Sequence, residues 1–205
     1  MNPHLITQEF EKEIADYTGS PYCVCVDNES NALFMALKYE KIEGQEIIIP
    51  SHTYPSVPCE IIQAGGKVKF KPSEAYLTGE YRLKPTRVWD SALRFTANMY
   101  RPGMLQCLSF TGQRKHLKTV KGGAILTDSI DAYNWFKRFR FSGRREVPYM
   151  DDNFDFIGKN YYMPHVLASI GLMNIKSFYN IDGSKKQVPD ISLPYPDLSK
   201  YKIYT

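Results

Sequence analysis

The sequence predicts an α/β fold built on buried, parallel strands, and three observations carry that prediction. Short strand-like runs recur at 22–26, 46–49, 87–90, 105–110 and 124–127, several of them continuously apolar, as strands covered on both faces are. Between most of them lie segments with apolar residues at helical spacing, the alternation expected of α/β chains. Polar turns follow the strand-like runs, at the carboxyl ends where open α/β sheets bind their ligands.

Length and composition limit the choices further. At 205 residues the chain suits one sizeable domain, and its 43% hydrophobic and 23% charged content is ordinary for a soluble globular protein. A formal net charge of +4 favours anionic ligands without calling for nucleic acid. Aromatics at 14% suggest stacking surfaces or a tight interface. Cys23, Cys25 and Cys107 sit inside strand-like runs, and the one-residue gap of Cys23-Val24-Cys25 differs from a zinc knuckle or redox pair, so all four cysteines, Cys59 included, read as structural thiols. The N-terminal residues lack the pattern of a secretory signal, and no apolar run approaches membrane-spanning length; a cytoplasmic protein with no membrane contact is expected.

Taken in order, residues 7–17 place Phe10, Ile14 and Tyr17 on one helical face, with Thr7 as capping residue, and Gly19-Ser20-Pro21 ends that helix. The strand at 22–26 runs through a tight turn, 27–31, into a helix at 32–39. The N–H groups at such a helix start can hold a phosphate, although capping by Asn28 or Ser30 accounts for the same residues. A strand at 46–49 ends at Pro50, residues 51–55 turn, and a helix at 56–63 stops at Gly65-Gly66. Residues 67–70 form a short strand, 73–85 read as irregular, and 87–90 form a strand ending in Asp90, which is placed for function or for capping. Residues 124–127 are a strand and 130–141 an amphipathic helix whose basic residues, Lys137, Arg138, Arg140, Arg144 and Arg145, interleave with Phe136, Phe139 and Phe141. The helical spacing of the phenylalanines favours aromatics in the core and a basic face in water over nucleic-acid binding. A helix spans 163–177 with Pro164 near its first turn, and the last residues form an extended, proline-rich tail.

The loop between the strands ending at Ser109-Phe110 and opening at Gly122-Gly123 is cationic and contains Lys115. A lysine held between two buried strands loses part of its hydration, which lowers its pKa and suits it to amine chemistry; a solvated basic loop is the alternative.

Read together, these turns resemble those of the DegT/StrS-type sugar aminotransferases, enzymes that use pyridoxal 5′-phosphate (PLP). NESNAL at 28–33 resembles the family's S-G-T-x-A-L turn, IIIPSHTYPS at 47–56 its V-P-x-x-T-F/W segment, and VWDSA at 88–92 its I-E-D-A-A strand end. LSFTGQRKHLKTVKGGAILTD at 108–128 resembles S-F-x-x-x-K…G-G-A-x-x-T-D, and GKNYYM at 158–163 resembles G-Y-N-Y-R-M. The resemblance runs from about residue 10 to 178 and implies a three-layer, mostly parallel sheet flanked by helices, like the large domain of aspartate aminotransferase. The small C-terminal domain is absent, leaving a PLP-binding domain at 1–180 and a tail at 181–205.

It also implies roles. Lys115 would hold the cofactor as an imine and shuttle protons, Asp90 would pair with its pyridine nitrogen, and Tyr54 would stack on its ring. The N–H of Glu29, Ser30 and Ser109 would bind its phosphate, and Asn160 would reach a partner's phosphate across a homodimer with shared active sites. The implied reaction is amino transfer from an amino-acid donor, typically glutamate, to a nucleotide-linked keto-sugar. The alternatives are a catalytically silent binding or assembly module and a PLP-dependent sugar dehydratase.

The chain departs from the pattern at named places. Family spacing counted from Ser109 lands on Arg114, while counting back from the diglycine lands on Lys115; only lysine forms an imine. Glu29 replaces the turn glycine, Leu93 the polar residue after D-A-A, and Tyr162 the arginine of Y-R-M, and the interval from Pro50 to Asp90 is short.

Overall fold

The computed structural model describes residues 2–204. Its layering is set by strand β1 (Tyr22–Val26), whose side chains alternate between two cores. Val24 and Val26 enter a core shared with Leu33, Ile47, Val88, Leu105, Ile125 and Phe136, whereas Cys23 and Cys25 enter one shared with Phe10, Ile14, Tyr17, Leu108, Leu126 and Met163. The first core lies under helices α2 (Glu29–Tyr39), α3 (Ser56–Gln63) and α4 (Ile130–Phe139). The second lies under α1 (Leu5–Thr18) and α5 (His165–Ile175). This is the three-layer α/β arrangement that the sequence predicts. All four cysteines are free thiols, with only Cys59 partly exposed. Among the described residues no helix is long and apolar enough to cross a membrane.

Strand direction differs from expectation. The remaining strands are β2 (Glu46–Pro50), β3 (Lys67–Lys71), β4 (Tyr76–Arg82), β5 (Val88–Leu93), β6 (Leu105–Ser109), β7 (Gly123–Thr127) and β8 (Ser192–Pro194). The main sheet runs β1-β7-β6-β5-β4-β8, and of its neighbours only β5 and β6 are parallel. A mostly parallel sheet is therefore corrected to a mixed one. The cause is connection length: β4 returns into β5 through a short turn, and a loop without a helix joins β6 to β7, so both pairs are antiparallel. Strands β2 and β3, joined through α3, form a separate parallel pair.

Two segments with weak periodicity become structure. Residues 73–85, read as irregular, supply β4, and the C-terminal stretch supplies β8 on its edge. That stretch then packs back on the molecule, with Leu198 N–H donating to Ser51 O at 2.8 Å. Smaller corrections concern ends. Helix α1 starts at Leu5, ahead of Thr7, whose hydroxyl instead contacts His165 Nδ1 at 2.9 Å, and β5 continues past Asp90 to Leu93.

The basic cluster needs a larger correction. Phe136 and Phe139 are buried as expected, but Arg140 is fully buried as well. It pairs with Glu11, donates to Glu146 at 2.7 Å and to Cys25 O, and lies 4.5 Å from the Tyr162 ring centre. Lys137 joins the same group through Glu11 (3.1 Å) and Glu146 (2.7 Å). An arginine in a basic run reads as solvated because its partners lie far away in sequence, Glu11 on α1 in this case.

Candidate active site

A cavity of about 600 Å³ opens where β1, β5 and β6 meet the start of α2. Six of the seven residues singled out from sequence line it: Glu29, Ser30, Tyr54, Asp90, Ser109 and Lys115. Asn160 does not. It is exposed, bridged to Phe141, on a segment outside the cavity.

Each lining residue is placed by local structure. Asn28 caps α2, its side chain accepting the Asn31 N–H at 2.8 Å, and Asp27 holds the Asn31 amide at 2.7 Å. The capping alternative is thus realised, and it leaves Glu29 and Ser30 in the first turn, among the N–H groups that lack helical partners. Strand β7 presses against this turn. A Cβ on Gly123 would lie 2.6 Å from Glu29 N and 2.7 Å from Asn28 C, so only glycine allows the approach. Gly123→Ala is therefore expected to push α2 away from the cavity and to destabilise the protein by about 1–3 kcal/mol, read as a lower urea midpoint with an unchanged slope.

Asp90 is almost fully buried on β5, and one carboxylate oxygen accepts the Ala92 N–H at 3.0 Å. Across the sheet Tyr81 pairs in register with it; burial, then the Asp90 charge, push the Tyr81 hydroxyl well above its usual range, and that hydroxyl contacts Thr53 Oγ1 at 2.7 Å.

The β6–β7 loop is closed at its base by Phe110 N–H to Gly122 O (2.9 Å) and by Thr111 Oγ1 with Gly122 O and N. From this loop Lys115 extends its Nζ to Ala92 O at 2.5 Å, directly beyond Asp90 on β5. Arg114 also borders the cavity but is exposed. Of the two residues that the spacing left open, Lys115 is the half-buried one, and its Nζ reaches β5. Burial lowers the Lys115 pKa, while Glu29 and Asp90 oppose that by favouring its charged form.

Several lining residues were not legible in the sequence. Leu77 and Gly79 of β4, and Leu193 and Tyr195 at β8, form one wall. Tyr195 stands edge-on to Tyr54 with ring centres 6.3 Å apart. Burial, then the charges of Asp90 and Glu29, raise its hydroxyl to about 12. Residues 76–82 were read as irregular although YLTGEYR alternates in part, and nothing in SLPY at 192–195 signalled a cavity wall. The direction of the Glu29 side chain was left open by the sequence: it is buried in the cavity lining beside Asp90 and Lys115, with no donor to its Oε1.

Residues 5–75 and 101–191 match the DegT/DnrJ/EryC1/StrS aminotransferase family, so Asp90 falls in the interval between the matched segments. GDP-perosamine synthase of Escherichia coli O157:H7 is 25% identical over 90% of this chain and 61% of its own length. The fold is shared with PseC of Helicobacter pylori, an aminotransferase involved in pseudaminic acid biosynthesis, at a TM-score of 0.65 and 14% identity over 84% of this chain and 57% of that one. It is likewise shared with a Streptococcus pneumoniae protein solved in its PLP form, at 0.67 and 18% over 83% and 59%. The chain thus spans about 60% of the length of the relatives it matches. With its matched segments covering most of its residues, the chain belongs to the DegT/DnrJ/EryC1/StrS aminotransferase family.

Proposed function

We propose that this chain is a PLP-dependent aminotransferase that moves an amino group from an amino-acid donor, glutamate, to a nucleotide-linked keto-sugar. The observation that carries the reading is the convergence of an amine and an acid in one cavity: Lys115 Nζ is bonded to Ala92 O, and Asp90, two residues earlier on β5, is nearly buried beside it.

The residues present fit PLP. The cavity volume suits a ligand of that size. The start of α2 with Ser30, and Ser109 across from it, offer donors for a phosphate. Asp90 has an oxygen beyond its Ala92 contact to receive a pyridinium N–H. When bound, the cofactor supplies the electron sink that makes a carbon–hydrogen bond next to nitrogen acidic. Lys115, its ammonium disfavoured by burial, can take and return a proton at Nζ, and Ala92 O orients that atom. Tyr54, exposed at the mouth, can cover a ring and exclude water. Arg114 and Lys121, also at the rim, bring positive charge toward a nucleotide diphosphate.

In this reading residues 1–180 form the cofactor domain, 181–205 contribute Leu193 and Tyr195 as a wall, and Asn160 reaches a second copy in a cytoplasmic homodimer. The test incubates purified protein with PLP, glutamate and a panel of keto-sugar nucleotides. Release of 2-oxoglutarate that depends on one of the sugars is the expected result. No release, with no visible-edge absorbance on adding PLP, would refute it and leave a silent module.

A further inference from the structure

Glu29 stands where the family turn carries glycine, and the fold does not let its side chain escape to solvent. With β7 packed against its backbone, Glu29 lines the cavity, and the residue is 8% exposed. Its Oε1 is buried with no donor to it, and the Asp90 carboxyl lies close enough to share a proton with the group. A buried polar atom left without a partner costs roughly 1–3 kcal/mol, and more when charged. That cost disappears when a bound group meets it.

The surroundings decide which form of the carboxyl is present. Asp90 on β5, Lys115 on the β6–β7 loop and Glu60 on α3 all act on Glu29. Glu29 in turn raises Tyr81 on β4, Cys107 on β6 and Tyr195 at β8, so these groups face it as well. Lys115 is the cation in that set, and its Nζ is committed to Ala92 O. Two carboxyls in one poorly hydrated cavity resist ionising together. Burial first, then the Asp90 charge, hold Glu29 well above the usual carboxylate range, with Lys115 opposing. A neutral carboxyl can donate a hydrogen bond, whereas an ionised one would repel a phosphate at the start of α2.

We propose that Glu29, buried in the cavity lining at the start of α2, is a ligand-binding residue whose carboxyl donates to an oxygen of a bound phosphorylated pyridine. Loss of that proton weakens the binding. This rests on the cofactor reading above. Glycine at this position can neither donate nor repel, so the chain has gained a pH-dependent contact.

The experiment titrates pyridoxamine 5′-phosphate, which lacks the aldehyde and so leaves Lys115 chemistry out, into the wild type, Glu29→Gln and Glu29→Gly, following tryptophan fluorescence from mildly acidic to alkaline buffer. Titration of the ligand itself is common to all three and cancels in the comparison. The wild-type dissociation constant is expected to rise roughly tenfold or more with pH relative to Glu29→Gln, whose amide stays a donor and stays neutral. Glu29→Gly should share the flat relative profile while binding more weakly than the acidic-side wild type, and it stands in should the glutamine variant fail to fold. Identical pH profiles for wild type and variants would overturn the proposal alone. If the wild type binds no pyridoxamine 5′-phosphate at any pH, and PLP gives no absorbance that Lys115→Ala removes, the cofactor reading falls and the proposal with it.

Discussion

Lys115→Ala is expected to lose amino transfer by roughly a thousandfold or more, the range seen when a proton-transferring side chain is removed. The amine is the atom that the proposed chemistry uses twice, for holding the cofactor and for moving a proton. The variant should keep its fold, because Lys115 is half-buried and its Nζ bond goes to a backbone carbonyl at the cavity. It should also fail to develop the visible-edge absorbance that PLP gives with the wild type. Arginine at this position would not rescue, since guanidinium stays protonated and cannot form the covalent bond. Selective labelling offers a second check: with its pKa lowered by burial, Lys115 should react with an amine reagent at lower pH than exposed lysines. Retained turnover in Lys115→Ala would remove this residue from the chemistry and turn attention to other groups in the cavity.

Arg140→Met is expected to destabilise the protein by about 3–5 kcal/mol, measured by urea unfolding, because it strips the buried carboxylates of their main counter-charge. Arg140 is fully buried, and its partners Glu11 and Glu146 are nearly so. With methionine there, Lys137 alone would face both. The same group predicts an acid limit on stability. Burial by itself would raise the Glu146 carboxyl, but Arg140 and Lys137 outweigh it and hold its pKa at about 2, against an ordinary 4.5. A depressed folded-state pKa means stability that is present above the ordinary value and is lost as pH falls through the window from 4.5 toward about 2. Unfolding free energy of the wild type should therefore drop across that window, by a few kcal/mol for this group. Glu146→Gln should start lower at neutral pH and show a shallower drop. Equal slopes for the two proteins would place the acid limit elsewhere.

The Arg140 group also shows what replaces a family feature. Tyr162 stands where the resemblance expects an arginine, and its hydroxyl donates to Glu146 at 3.1 Å while its ring lies against Arg140.

What the sequence determined by itself was local. The helix start after Asn28, the helix beginning at 130, the apolar runs that became β1, β2, β6 and β7, and the polar turns after them depend on neighbours a few residues away, and they formed near where propensity and spacing put them. The turns carried enough pattern to identify the family and to nominate six residues that now share one cavity.

What only the tertiary structure decided depended on partners distant in sequence. Strand direction followed from how the β4–β5 and β6–β7 connections return, which periodicity does not encode. Residues 192–194 became a strand by pairing with 76–78 across more than a hundred residues, against proline-rich composition, while 79–82 paired with β5. Arg140 became buried because Glu11, 129 residues away, was brought to it beside the nearby Glu146. Glu29, whose side-chain direction the sequence left open, is buried in the cavity lining beside Asp90 and Lys115. Burial and its electrostatic consequences belong to the assembled fold, and that is why a residue that departs from the family's turn became the most informative carboxyl in the cavity.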